Sequence, residues 1–115
     1  MKARERILSR LALGDDIASL PERDVQDLDI RAVDPRDAAL VRLGALLAMD
    51  SSPNSLRHVT QDAQLAGVSP DEIVRCLVSI VPTLGLGQTS AVAPRLALAL
   101  GFDLNAALEE LRPGV

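Results

Sequence analysis

The chain is 115 residues long and 48% apolar, with 12 basic against 16 acidic residues and a net charge of −4. That balance argues against a broad electrostatic footprint for nucleic acid or an anionic membrane. The single cysteine, Cys76, excludes an intramolecular disulfide or a cysteine metal cluster and fits a reducing, cytoplasmic setting.

Trp and Tyr are absent and Phe102 is the only aromatic, so the core must be built from Leu, Val, Ile and Ala. This palette favours packed helices over a sandwich of sheets. The length predicts one domain over residues 1–115, with burial incomplete enough that self-association would help it.

In chain order, residues 2–13 carry Ile7, Leu8, Leu11 and Ala12 at helical spacing, closed by Gly14, Asp15 and Asp16. The basic positions of this segment, Lys2, Arg4, Arg6 and Arg10, read as a solvated helix face. Residues 15–33 read as a connection with one helical turn or two. Asp34-Pro35 then opens a helix running to Met49, apolar nearly all round and therefore expected to be buried.

Asp50, Ser51, Ser52 and Pro53 form the next turn and start a helix that carries His58 and stops at Gly67. Its expected core stripe is Leu56, Val59, Ala63 and Ala66. Ser69-Pro70-Asp71-Glu72 is a capping box with proline at the first helical position. The apolar helix after it should kink or end at Pro82, with "GLGQ" (Gly85 to Gln88) making the break. A further apolar helix covers 89–100 and stops at Gly101; Asp103 caps a short last helix to about Leu111, before Pro113-Gly114. The expectation is an all-α domain of five to seven helices. The uncharged run 76–94 is interrupted by Pro82, Gly85 and Gly87, so no membrane span is expected, and nothing at the N-terminus reads as a signal peptide.

Within this layout, "ALVRLGALLA", then "LRHVTQDAQLAGVSPDEIVRCL", then a glycine-containing apolar helix pair, resembles the carboxymuconolactone decarboxylase and alkylhydroperoxidase D-like family. The resemblance covers 28–101 and is most specific over 58–73. It implies an alkylhydroperoxidase D-like helical bundle that assembles with copies of itself, as a trimer or hexamer. Redox members of the family carry a C-x-x-C pair four residues ahead of a histidine, with a glutamate about a dozen positions before the first cysteine. By that spacing the two cysteine positions here are Ser51 and Asn54, and the glutamate position is Ala39. Thiol-disulfide exchange needs a thiolate nucleophile, which neither a hydroxyl nor an amide replaces. Peroxidase or disulfide reductase activity is therefore not expected.

The decarboxylase members also lack the cysteine pair, and His58 falls on the histidine of that subgroup. The resemblance thus implies acid-base chemistry on a small carboxylate or lactone-type substrate. Loss of carbon dioxide leaves an enolate-like carbanion, which needs a proton and a cation for the carboxylate. His58 is the candidate proton donor or acceptor, Asp62 four residues on is placed to orient it, and Arg57 or Arg42 would bind the anion, near Ser51 and Asn54. Two departures from the decarboxylase pattern are visible. Arg75 stands in a glutamate position, and Thr83-Leu84-Gly85-Leu86-Gly87 stands where the family has tyrosine-x-glycine-x-proline.

Other readings compete. The same fold without the chemistry would be a catalytically silent homo-oligomer or a binder of apolar ligands. "QLAGVSPDEIVRCL" also resembles the turn and second helix of a helix-turn-helix DNA reader. A recognition helix presents basic groups, however, whereas this one opens on Asp71-Glu72 and continues into apolar residues, so no nucleic-acid partner is expected. One histidine without cysteine partners offers no set of ligands for a structural metal, and "GLGQTS" lacks the lysine of a phosphate loop. No cofactor is implied, and Cys76 reads as a small core residue.

Overall fold

The computed structural model describes residues 1–112, and among these the backbone forms six α-helices and no strand. The fold is all-α, and six helices fall within the expected five to seven. The Pro113-Gly114 stop lies outside the described residues. The chain forms two compact units, one of residues 1–34 and one from residue 35 onward.

In the first unit, α1 (Ala3–Ala12) is followed by a single 3₁₀ turn (Ile17–Ser19), α2 (Glu22–Asp27) and a second 3₁₀ turn (Ile30–Ala32). The segment read as a connection is therefore more ordered than its weak periodicity suggested. It is held by charge as much as by apolar burial. Ile7 and Val25 are buried, and the buried carboxylate of Asp24 accepts a 2.8 Å hydrogen bond from Arg6 Nε. Glu22 pairs with Arg31 at the surface, which holds the Glu22 carboxyl below its usual range. Solvent screens that exposed pair, so it adds little to stability.

In the second unit, α3 (Pro35–Ala48), α4 (Pro53–Leu65) and α5 (Pro70–Ala99) pack on one another, and α6 (Leu104–Leu111) follows. The core draws Ala39, Leu43 and Leu47 from α3, Leu56 and Ala63 from α4, Val68 from the connection, and Ile73, Leu77, Val92 and Leu96 from α5. The predicted α4 stripe is present: Leu56 and Ala63 are buried, and Val59 and Ala66 pack against the core. Thr60 is buried beside it, and donates its hydroxyl to the Leu56 carbonyl at 2.7 Å, so no polar atom is stranded.

The expected full burial of α3 is corrected. Only one stripe, spaced four residues apart, is covered, and Val41 on the same helix is 73% exposed. In the single chain, apolar composition outruns the partner surface available to cover it.

The local start and stop signals act as read. Ser52 caps α4 by accepting from the Ser55 amide at 3.1 Å, with Pro53 first in the helix. Both bonds of the Ser69/Glu72 capping box form, and Glu72 also pairs with Arg36. Asp103 accepts from the Ala106 amide to cap α6. Gly67 and Gly101 end their helices with positive φ.

The break falls at Gly85, within the GLGQ stretch expected to make it, whereas the kink or end expected at Pro82 is absent and α5 runs as helix through that residue. Gly85 has φ 81° and ψ 165°, a conformation open essentially to glycine alone, whereas proline inside a helix costs one hydrogen bond and some crowding. The second arm accordingly begins before Thr89, and Gly87 already lies within it.

By length and composition α5 is apolar enough to cross a membrane, contrary to the expectation from its interruptions. Its two arms, 70–84 and 86–99, are each about 21–22 Å long at 1.5 Å per residue. Neither arm matches a hydrocarbon core of about 30 Å.

Candidate functional site

The first two turns of α4 present the polar residues singled out from the sequence. With Ser52 as cap and Pro53 at the first position, Asn54, Arg57 and His58 follow at i, i+3 and i+4 and share one helix face. Arg57 Nη2 donates to Asn54 Oδ1 at 2.9 Å. Among the described residues Arg57 has no carboxylate partner, so its charge is held but not neutralised.

The second arm of α5 adds a cation that sequence reasoning missed. Arg95 Nη1 donates to the Ser51 carbonyl at 3.2 Å and lies 3.5 Å from Asp50 Oδ1. Arg57 and Arg95 together line a cleft of about 210 Å³ with Asn54, Pro53, Leu98 and Ala99. Its lining combines two guanidinium groups and an amide with the apolar side chains of Pro53, Leu98 and Ala99. A signal for Arg95 was present, because it is the only charged residue between Arg75 and Asp103, and Leu98 and Ala99 lie at i+3 and i+4 from it.

The remaining sequence candidates are placed as follows. Ser51 is half-buried and donates its hydroxyl to the Leu46 carbonyl at 3.1 Å. His58 is exposed in the single chain, one turn along the helix from Asn54. Asp62 is also exposed, and among the described residues the two share no hydrogen bond or ion pair. Arg42 is exposed on α3 and does not line the cleft. The structure thus groups Ser51, Asn54 and Arg57 with Arg95, sets His58 beside them on the same face of α4, and leaves Asp62 and Arg42 apart. Ala39 is buried in the core.

Cys76 packs partly buried against the core, and this burial pushes its thiol pKa up. The shift favours the neutral thiol in the folded state. Its contribution to stability is therefore present below the unfolded thiol's pKa and lost as pH rises through the folded value. Iodoacetamide should accordingly alkylate Cys76 several-fold more slowly in the native chain than in the urea-unfolded chain at pH 8. Equal rates, followed by mass spectrometry, would show an accessible thiolate instead.

Among the described residues no group of three or more His, Cys, Asp and Glu side chains is arranged to hold a metal ion. Compared with known proteins, the chain matches no protein-family model, no curated protein and no solved structure.

Proposed function

We propose that this chain is a carboxymuconolactone decarboxylase-like protein that carries out non-redox acid-base chemistry on a small carboxylate or lactone-type substrate. The observation that carries the reading is the single face of α4 on which Asn54, Arg57 and His58 lie together, beside the arginine-lined cleft. Arg57 would bind the substrate carboxylate. His58, whose ordinary pKa lies near neutrality, would give or take the proton at the carbanion centre. The positions of the family's thiols are filled by Ser51 and Asn54, both engaged in hydrogen bonds of their own, which is in keeping with chemistry that needs no thiolate.

The working form in this proposal is a homo-oligomer. Leu65, Val78 and Leu86 are each more than 60% exposed in the single chain. A second copy covering such a surface would remove apolar area from water and enclose His58 from the solvent it now faces.

The decisive experiment measures carbon dioxide release from small lactone carboxylates, and deuterium exchange next to their carboxyl groups, by the oligomeric protein. His58→Gln should lower either rate by about a hundredfold or more with the fold intact by circular dichroism. Equal rates for the variant and the parent would remove His58 from the chemistry.

A second reading is favoured by the exposure of His58 and by a separate apolar cavity of about 280 Å³ bordered by Val74, Leu77, Leu96, Leu100, Phe102 and Leu104. In that reading the chain is a catalytically silent oligomer or a binder of apolar ligands. Absence of turnover across the lactone series, together with saturable uptake of an apolar dye, would favour it.

A further inference from the structure

Arg57 and Arg95 place two guanidinium groups around one small cleft at the N-terminal turns of α4, where the helix dipole is itself positive. Among the described residues the only carboxylate paired with them is Asp50, 3.5 Å from Arg95 Nη1 and 98% exposed. An exposed pair at that distance is weak and readily exchanged. Arg95 is held more firmly by the neutral Ser51 carbonyl, which fixes its position without satisfying its charge. The cleft therefore combines a surplus of positive charge with the apolar surface of Pro53, Leu98 and Ala99.

Building on the carboxylate chemistry above, we propose that Arg95 is the second cation and the specificity-determining residue of this cleft. An entering carboxylate replaces Asp50 as the counter-ion of Arg95, bridges it to Arg57, and lays a compact apolar body on Pro53, Leu98 and Ala99. Guanidinium forks bind carboxylates with two parallel hydrogen bonds, so a pair of them fixes both the position and the tilt of the group. The preferred ligand is a small organic carboxylate of roughly benzoate size; a bare anion leaves the apolar wall unused, and a neutral amide leaves both arginines uncompensated.

Titrating the full-length, isotope-labelled chain with benzoate, benzamide and inorganic phosphate separates these cases by nuclear magnetic resonance. Benzoate should shift the side-chain resonances of Arg57 and Arg95 and the amides of Leu98 and Ala99, and bind more tightly than either control. Arg95→Gln should weaken benzoate about tenfold. Asp50→Asn should strengthen it several-fold by removing the competing carboxylate, a gain that a merely structural Asp50–Arg95 tie would not give. Both variants alter exposed or half-exposed groups, and their folding is checked by thermal midpoint.

Benzoate binding is read without turnover, so loss of turnover in His58→Gln and loss of binding in Arg95→Gln report on separate claims. Benzamide or phosphate binding as tightly as benzoate, or unchanged benzoate affinity in both Arg95→Gln and Asp50→Asn, would overturn the assignment.

Discussion

Leu43→Ala should lower the unfolding free energy by about 2–5 kcal/mol. Leu43 is wholly buried at the centre of the α3 stripe, between Ala39 and Leu47, in a core that also receives Leu56 and Ile73. With no aromatic ring in that core, the cavity left by an isobutyl group has only aliphatic neighbours to collapse into it, each already engaged on another side. Against a total stability of about 5–15 kcal/mol for a small domain, such a loss is a large fraction. Urea titration should show a lower midpoint at an unchanged slope, which marks a change in stability and not in the extent of unfolding. Val41→Ala is the matched control. Val41 lies two residues away on the same helix but is 73% exposed, so its truncation should cost at most about 0.5 kcal/mol at monomeric concentrations. Equal losses for the two variants would show that the covered stripe of α3 is misassigned.

Gly85→Ala should also be costly, for a different reason. A Cβ added at Gly85 meets nothing within 4 Å, so sterics with neighbouring elements play no part. The cost is in the backbone. At φ 81° and ψ 165° an alanine pays about 1–3 kcal/mol. The alternative is to rewind the segment into regular helix, which would swing the second arm away from α3 and break the 3.2 Å bond from Gln88 Nε2 to the Leu47 carbonyl. Gly87→Ala is predicted to move the other way. Gly87 sits in the helical arm with open space around its Cα, where alanine gains up to about 1 kcal/mol over glycine. Opposite signs at two glycines so close together, read from thermal midpoints, are the signature of a required break. The same sign at both would mean that Gly85 is an ordinary helical residue.

What was legible in the sequence was what depends on neighbours along the chain. Ser69, Pro70 and Glu72 announce a helix start because the capping groups lie three residues apart, and Asp103 does the same for α6. The α4 stripe of Leu56, Val59, Ala63 and Ala66 was legible from period alone. Three features were hidden. Pro82 looked like a kink or an end, but a proline's penalty is finite and the helix runs through it to Gly85 in GLGQ, whose conformation leaves almost no alternative residue. The apolar residues of α3 gave no sign of which would find a partner, because composition reports what can be buried and not what is. Arg95 stands out as a lone charge in an apolar run, but its partners lie 44 and 45 residues away in sequence, and no local pattern encodes them. The pairing first drawn for His58, with Asp62, was the converse case. Helical spacing permits it, but the two side chains share no hydrogen bond or ion pair.

The ties that carry the second arm of α5 to the end of α3 have a kinetic meaning as well. α3 and α4, and α4 and α5, follow one another along the chain and pack as neighbours, so each of these pairs meets after closing a short loop. The Gln88–Leu47 and Arg95–Asp50 contacts close loops of 41 and 45 residues, whose entropy is recovered only when the earlier helices already present a surface to dock on. Loop closure therefore favours assembly of the three-helix scaffold first and arrival of the second arm last. Arg95 travels on that arm, so the cleft between it and Arg57 comes into being only at the final stage of folding. Any ligand held there stabilises the segment that joins last, and so slows its departure first.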